Sequence, residues 1–219
     1  KVLTTDQINQ VIAYFNLDRT LNPDILCDVK KQGITNENHA EFGDKLIDFS
    51  GNGRDIWLNN IAWNKESGID DDGALRLDGV NDFGKATGMP IYKDYTFIID
   101  YERISYTREG WGGAIVSKSP NANNGAFISM MANSAGLNKQ LFSFGGVTAF
   151  IKDDLSRILF WQTKYKSENT ELTVGEGVDG DTFWLGTLRD NDSRFFNGAI
   201  YSLMSFPYSM SEFLIERQL

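Results

Sequence analysis

The segment that decides the fold runs from residue 46 to residue 83 and begins with the loop Asp48-Phe49-Ser50-Gly51-Asn52-Gly53-Arg54-Asp55. It closes with Gly73-Ala74-Leu75-Arg76-Leu77-Asp78-Gly79-Val80-Asn81-Asp82-Phe83. The first half is rich in turn residues, because glycine tolerates positive φ and Asp, Ser and Asn bond to nearby backbone groups. In the second half leucines alternate with charged residues, which is typical of a half-buried strand. The segment therefore predicts a tight surface loop that leads into β structure.

From this segment almost to the end of the chain, apolar and polar residues alternate with a period of two. Glycine- and asparagine-rich turns separate the apolar runs. Many short strands at close spacing, with no helices between them, predict an all-β antiparallel sandwich. Four tryptophans in strand patterns are assigned to its core: Trp57, Trp63, Trp161 and Trp184. Strands are predicted at residues 56–63, 74–78, 83–86, 95–104, 114–118, 126–131, 141–144, 147–152, 157–165, 171–174, 183–188 and 199–206.

The two ends of the chain predict short helices. Thr4 and Gln7 form a capping box ahead of an amphipathic stripe, so a helix is expected at about residues 5–16. Residues 21–44 show no period and are predicted to run as an extended wrap along the outside of the sheets. Ser209 and Glu212 form a second capping box before a short C-terminal helix. The expected division is residues 1–45 for the helix and wrap, and residues 46–219 for the β domain.

Composition excludes several classes of function. The chain has 219 residues and a formal net charge of −9, which disfavours binding to nucleic acid or to anionic membranes. No apolar run reaches the roughly 20 residues that a membrane-spanning helix needs, so we expect no membrane insertion.

The chain begins at Lys1 without a signal-peptide apolar region, so we expect that a leader or upstream part has been removed. The expected location is extracellular or at the cell surface.

The quoted motifs are similar to those of a known family. The Asp-x-Ser-Gly-Asn-Gly loop, the Leu-x-Leu-Asp-Gly-Val-Asn-Asp-Phe strand and turn, and the closing Phe196-Asn197-Gly198-Ala199-Ile200 strand resemble laminin-G-like domains. These belong to the concanavalin A-like lectin/glucanase superfamily. The resemblance covers residues 46–219 and implies a jelly-roll sandwich, a carbohydrate or glycoconjugate ligand, and room for one calcium ion at the rim. The sequence departs from the family's pattern at residues 155–176, which lack the Asn-Gly hairpin of that family.

Glycoside cleavage requires two carboxyl groups that face each other across a sugar. Asp100 and Glu102 lie two residues apart on a predicted strand and so share a face. They are weak catalytic candidates, because Ser105 occupies the place of the third acid of jelly-roll glucanases. The alternative is a solvent-facing strand surface, with Phe97, Ile99 and Tyr101 directed to the core.

A loop between predicted strands is the candidate ligand site. Trp111 lies between glycines in this loop, beside Tyr106, Arg108 and Glu109. Sugar binding by stacking requires exposed aromatic faces with polar neighbours, and this loop has both residue types. These four residues are therefore predicted to contact a carbohydrate, whereas burial of Trp111 is the competing interpretation.

Two acidic segments are candidates for calcium. Asp48-x-Ser50-x-Asn52-Gly53 mimics half of a calcium loop, although Asn59 stands where the bidentate Glu belongs. The competing interpretation, which we favour, is that Asp48 and Ser50 cap backbone amides. Asp179 and Asp181 lie close together in a turn, where either a calcium ion or solvent would relieve their repulsion.

A thiol or imidazole nucleophile is disfavoured. His39 is the one histidine and is expected at the solvated surface, and Cys27 is expected to be a small buried apolar side chain. We expect a non-catalytic binding or adhesion module with a lectin-like scaffold, on a bacterial surface, secreted, or in a phage tail, and the resemblance implies that it recognises carbohydrate or glycoconjugate. The alternatives are a glucanase-type hydrolase that uses Asp100 and Glu102, and a purely structural part of a larger assembly.

Overall fold

The computed structural model describes residues 22–91, 96–105, 113–118, 127–132, 138–144, 147–152, 158–162, 166–167, 170–171, 180–189 and 194–208. Within these residues the strands form a six-stranded sheet, an eight-stranded sheet and a separate two-stranded pair, all antiparallel. The pair consists of β13 (Lys166–Ser167) and β14 (Thr170–Glu171). In this part of the chain, no helix is long and apolar enough to cross a membrane.

The strands of the six-stranded sheet are β1 (Ile25–Asp28), β4 (Gly68–Ile69), β5 (Leu75–Asp78), β7 (Thr96–Ser105), β12 (Ile158–Gln162) and β16 (Asn197–Phe206). Their order is β12-β7-β16-β5-β4, and β1 also pairs with β16. The longest pairing in the sheet joins β16 and β7, and it extends from Asn197 with Ser105 to Phe206 with Thr96.

The strands of the eight-stranded sheet are β2 (Lys45–Leu46), β3 (Ile56–Asn59), β6 (Phe83–Ala86), β8 (Ala114–Ser117), β9 (Phe127–Ala132), β10 (Asn138–Phe144), β11 (Val147–Lys152) and β15 (Phe183–Leu185). Their order is β11-β10-β9-β8-β15-β6-β3-β2, so β2 lies at one edge.

The core lies between the two sheets, because one apolar cluster contains buried side chains from both of them. Phe97 of β7 and Phe183 of β15 join the layers, with ring centroids 6.1 Å apart. Leu75 and Leu77 of β5 are buried while the residues that alternate with them are partly exposed. The predicted antiparallel sandwich is therefore confirmed, as is the alternation on which the prediction rested.

The prediction of an outside wrap for residues 21–44 is wrong at β1. Ile25–Asp28 pairs with β16 inside the six-stranded sheet, and all four residues are buried. Because both faces of this strand are covered, its sequence shows no alternation by which it could be recognised. Asp28 then caps a one-turn helix, α1 (Val29–Gln32), by accepting from the Lys31 N–H at 2.9 Å, and Gly33 ends the helix at φ 74°.

The two predicted terminal helices lie outside the described residues. Among the predicted strands, β3 is shorter than expected, since it ends at Asn59 instead of residue 63. The backbone leaves the extended conformation directly afterwards, with φ of 62° at Asn60 and 53° at Trp63. Trp63 therefore lies in a loop, where it packs against the core and is only partly buried.

Candidate functional site

Trp57 is the one large aromatic side chain that is exposed in the part of the chain whose burial the structure describes. It shows 55% of its surface to solvent. Its neighbours Ile56 and Leu58 belong to the core cluster, so the pleat of β3 directs Trp57 to the outer face of the eight-stranded sheet. The assignment of Trp57 to the core is therefore wrong.

The strands on either side of Trp57 place lysines beside it. Trp57 pairs with Lys45 of β2 and with Lys85 of β6, and Lys85 pairs in turn with Trp184 of β15. We call these four side chains, Lys45, Trp57, Lys85 and Trp184, the outer row. Each lysine contacts a ring: the Lys45 Nζ lies 5.0 Å from the Trp57 centroid, and the Lys85 Nζ lies 4.5 Å from the Trp184 centroid. Both distances are within the range of cation–π attraction.

An ion pair holds Lys45 in position. Its Nζ lies 2.5 Å from the Asp55 Oδ2, and both side chains are largely shielded from solvent. The other Asp55 oxygen accepts a hydrogen bond from the Asp48 backbone N–H at 2.9 Å. The ammonium group beside Trp57 is therefore fixed through the loop that precedes β3, at the edge of the sheet.

Trp184 and Phe83 lie on the same outer face, where Phe83 is partly exposed. Trp184 is only 5% exposed, so its predicted burial is confirmed, although it points away from the core between the sheets. Phe83 lies against it with ring centroids 5.9 Å apart, and Asn59 pairs with Phe83 in the adjacent row. Around Trp57 the face thus offers aromatic carbon, two ammonium groups and an amide.

The loop before β3 is a backbone cap and not a calcium loop. The Asp48 Oδ1 accepts from the N–H groups of Leu26 and Ser50 at 3.1 and 2.9 Å. Its Oδ2 accepts from the Ser50 hydroxyl at 2.7 Å and from the Arg54 N–H at 3.0 Å. Because both oxygens of Asp48 already accept two hydrogen bonds, the carboxylate acts as an organiser of the loop. The favoured interpretation of this motif is therefore confirmed.

The two candidate catalytic acids lie on the other side of the sandwich. Tyr101 of β7 faces the core with Phe97 and Ile99, as predicted, and this directs Asp100 and Glu102 to the outer face of the six-stranded sheet. The exposed Glu102 Oε2 accepts a hydrogen bond from the Tyr201 hydroxyl at 3.2 Å.

Glu102 also acts electrostatically on the half-buried Arg76 of β5. Burial lowers the pKa of the Arg76 guanidinium, and acidic neighbours, among them Asp70 and Glu102, oppose that shift. Glu102 is therefore one of the countercharges of Arg76. The outer row belongs to the opposite sheet, so the structure does not bring these acids together with Trp57.

The four residues of the predicted ligand loop, Tyr106, Arg108, Glu109 and Trp111, lie outside the described residues. The ends of their segment lie by the start of β16: Ser105 pairs with Asn197, and Gly113 abuts the backbone of Phe195 and Phe196.

Of the two candidate calcium ligands, Asp179 lies outside the described residues. Asp181 is exposed and its Oδ1 accepts from the Thr182 hydroxyl at 3.1 Å. The Asp181 carbonyl accepts from the Met89 N–H at 2.8 Å, which joins two loops. Among the described residues, no group of three or more His, Cys, Asp or Glu side chains could hold a metal ion.

His39 is not a solvated loop residue, contrary to the expectation. Its ring stacks on the Trp63 ring with centroids 4.0 Å apart and an angle of 10° between the planes. Its Nδ1 lies 2.5 Å from the Asp44 Oδ1. The imidazole therefore covers an indole that would otherwise face solvent, and it tethers two loops next to β3.

Cys27 is buried in the core cluster, as predicted. Burial raises the pKa of its thiol well above the ordinary value, and the carboxylates of Asp48, Asp55 and Asp28 raise it further. The neutral thiol is favoured, which is opposite to what a nucleophilic cysteine requires.

The sequence contained a signal for Trp57 that the assignment to the core overlooked. In Asp55-Ile56-Trp57-Leu58-Asn59 the tryptophan alternates with two aliphatic residues and shares its face with Asp55 and Asn59. A period of two therefore places Trp57 among polar side chains. The lysines of the outer row carry no such local signal, because they come from other strands.

Three solved structures show the fold relationship. The receptor-binding domain of botulinum neurotoxin D matches with a TM-score of 0.52 and 11% identity, over 90% of this chain and 52% of that chain. The ligand-binding domain of botulinum neurotoxin serotype D in complex with N-acetylneuraminic acid matches with a TM-score of 0.52 and 12% identity, over 95% of this chain and 51% of that chain. A GH54 α-L-arabinofuranosidase mutant soaked with 4-nitrophenyl α-L-arabinofuranoside matches with a TM-score of 0.53 and 9% identity, over 80% of this chain and 49% of that chain.

A scan against protein-family models finds no match, and a search of curated proteins finds none. The chain spans about half the length of the three solved structures that it matches. At identities of 9% to 12% the likeness concerns the arrangement of strands. The chain is an antiparallel β-sandwich with jelly-roll architecture.

Proposed function

We propose that this chain is a non-catalytic carbohydrate-binding module of the laminin-G-like type, with its ligand on the outer face of the eight-stranded sheet. The single observation that carries the proposal is the exposed indole of Trp57, flanked on both neighbouring strands by lysines. An indole face packs against the C–H face of a sugar ring, and nearby polar groups bind its hydroxyls. The order of the motifs from residue 46 to residue 206 supports the laminin-G-like assignment.

The solved structures support the class of ligand. One of them holds N-acetylneuraminic acid and another was soaked with an arabinofuranoside, so the same architecture serves carbohydrate recognition in other proteins. Fold alone does not carry function, and the argument for this chain therefore depends on Trp57 and its neighbours. We further propose that the module acts outside the cell, as part of an adhesive surface or secreted assembly.

A glycan array tests the proposal with the wild-type chain, Trp57→Ala and Trp57→Phe. We expect Trp57→Ala to weaken binding at least about tenfold, as is common for a tryptophan at the centre of a binding surface. Trp57→Phe should retain part of the affinity, because it keeps an aromatic face. Since Trp57 is exposed, neither substitution should change the melting temperature appreciably.

Two further variants serve as controls. Glu102→Gln lies on the opposite side of the sandwich and retains an oxygen that accepts from Tyr201, so it should leave glycan binding unchanged. Trp111→Ala alters the loop that the sequence predicts as the ligand site. It therefore distinguishes binding at that loop from binding at the sheet surface around Trp57. If Trp111→Ala abolishes binding and Trp57→Ala does not, the proposed surface is wrong. A blank array for the wild-type chain favours the purely structural role.

A further inference from the structure

A second aromatic ring lies beside Trp57 on the outer face of the eight-stranded sheet, and the inference drawn from it rests on the proposed function. Phe83 of β6 is partly exposed, whereas its neighbour Gly84 faces the core, where an added β-carbon would meet Ile56 and Leu185. The pleat of the strand therefore directs Phe83 to the same side as Trp57. Two rings that solvent can reach thus share one surface.

The register of β3 and β6 sets the distance between the two rings. Asn59 is opposite Phe83 and Trp57 is opposite Lys85, so Trp57 and Phe83 are diagonal neighbours. The β-carbons of such a diagonal pair lie about 7 Å apart. A single sugar stacks on only one of two rings at this separation, whereas two or more linked sugars reach both.

Phe83 is held in position before any ligand arrives. Its ring packs against the Trp184 ring, with centroids 5.9 Å apart and an angle of 49° between the planes. Trp184 is only 5% exposed, so it forms a fixed support for Phe83. An aromatic side chain that is already packed in this way loses little rotamer entropy when a sugar stacks on it.

Asn59 places a hydrogen-bond acceptor next to both rings. It follows Trp57 by two residues on the same strand, and its Nδ2 donates to the Trp57 carbonyl oxygen at 3.0 Å. Because a carbonyl oxygen only accepts, this bond identifies the nitrogen of the amide and leaves the Oδ1 as its other end. No residue that the structure describes donates a hydrogen bond to this Oδ1, so it can accept one from a sugar hydroxyl.

We propose that Trp57 and Phe83 bind successive sugars of one chain, with a hydroxyl between them bonded to the Asn59 Oδ1, so that the ligand is a linear oligosaccharide or polysaccharide. The second stacking contact is intramolecular once the first has formed. Affinity therefore rises with the length of the sugar chain until both rings are covered. A lone terminal sugar uses one ring and is bound more weakly.

Length series of soluble sugars test this inference by titration calorimetry, alongside the glycan array. Cello-, xylo- and manno-oligosaccharides are each measured from the monosaccharide to the hexasaccharide. In a series that binds, we expect affinity to rise at least about tenfold from the monosaccharide to the length that covers both rings, which corresponds to one aromatic contact. Longer members should then bind with nearly constant affinity.

Variants locate the length dependence on the proposed residues. Phe83→Ala should remove most of the gain and leave the affinity for the monosaccharide unchanged, because the contact with Trp57 remains. Trp57→Ala should weaken binding at every length, and Asn59→Ala should lower affinity about fivefold, as expected for one neutral hydrogen bond. Ile104→Ala is the matched control, because it truncates an exposed apolar side chain on β7 of the other sheet and should change no affinity.

Phe83 also covers Trp184, so folding is measured separately from binding. Phe83→Leu keeps an apolar side chain over Trp184 and removes the flat aromatic face. It should lose the length dependence as Phe83→Ala does, with a circular dichroism spectrum and a melting temperature close to those of the wild type.

The outcomes separate this inference from the proposed function. Equal affinity at every length, with binding that still depends on Trp57, overturns the inference and leaves carbohydrate binding in place. The same conclusion follows if Trp57-dependent binding on the array is confined to branched or terminal sugars, or if both Phe83 variants keep the gain with length. Absence of binding to every series and to the array, or binding insensitive to Trp57→Ala, contradicts the proposed function itself.

Discussion

The Nζ of Lys85 lies 4.5 Å from the ring centroid of Trp184, on the outer face of the eight-stranded sheet. The two residues are opposite each other on β6 and β15, and the indole beneath the lysine is only 5% exposed. A long lysine side chain lies along apolar surface with its aliphatic part and keeps its charge near solvent. Lys85 therefore both shields one tryptophan and brings charge next to another.

Removing this shield should be visible in the fluorescence of Trp184. The emission of Trp184 is obtained as the difference in fluorescence between a chain and the same chain with Trp184→Phe. We expect acrylamide to quench this emission more strongly in Lys85→Ala than in the wild type. The loss of the aliphatic cover and of the cation–π contact should destabilise the fold by about 1 kcal/mol in urea unfolding. Lys30→Ala is the control and should leave quenching unchanged. Unaltered quenching in Lys85→Ala would mean that other side chains shield Trp184.

The Asp48 cap should be one of the most sensitive positions of the fold. Asp48→Ala removes four accepted hydrogen bonds, three of them from backbone N–H groups, and we expect a loss of about 3 kcal/mol in the free energy of unfolding. Asp71→Ala is the matched control, because Asp71 pairs with Lys65 at the exposed surface and should contribute no more than about 0.5 kcal/mol. Urea denaturation of the two variants measures both values. Equal losses would show that Asp48 does not organise the loop.

The buried Asp82 should make stability depend on pH. Burial raises the pKa of this carboxyl above its ordinary value of 3.8, against the opposing effect of hydrogen bonds from the Asp78 N–H and the Ser67 hydroxyl. Between 3.8 and the raised value, the folded state binds more protons at this site than the unfolded state does. The contribution of Asp82 to stability is therefore complete below pH 3.8 and is lost as the pH rises through the folded-state pKa.

Asp82→Asn tests this dependence, because the amide keeps an oxygen for the Asp78 N–H at 2.9 Å and never ionises. We expect the variant to have a higher melting temperature than the wild type at pH 7, and the difference to shrink toward pH 3.5. Thermal unfolding at several pH values measures the difference. A variant that is less stable than the wild type by the same amount at every pH would contradict a raised pKa for Asp82.

The sequence predicted the strands well where one face of a strand is exposed to solvent. Leu75 and Leu77 alternate with polar residues, and they are buried as that pattern requires. It failed at β1, because a strand that is covered on both faces shows no alternation of apolar and polar residues to mark its period. His39 was misplaced for a different reason: its contact with Trp63 joins two segments that are far apart in sequence, and no local pattern predicts such a contact.

The loop at Asp48 shows a second limit of local patterns. Its spacing of oxygen-bearing residues was compatible with a calcium ion and with a backbone cap. The hydrogen bond from the Leu26 N–H, a residue of the sheet far from the loop in sequence, occupies a position that a cation would need. The distinction therefore depended on which strand lies next to the loop.

Local alternation was sufficient to establish the β sandwich and the inward faces of its strands, because a pleated strand directs successive side chains to opposite sides. It also placed Trp57 on the same side as Asp55 and Asn59. Whether that side is covered depends on the packing of other elements against it, and this is a property of the assembled sheets. The same assembly brings Lys85 of a different strand to Trp57, since cross-strand register follows from the packing of the whole core.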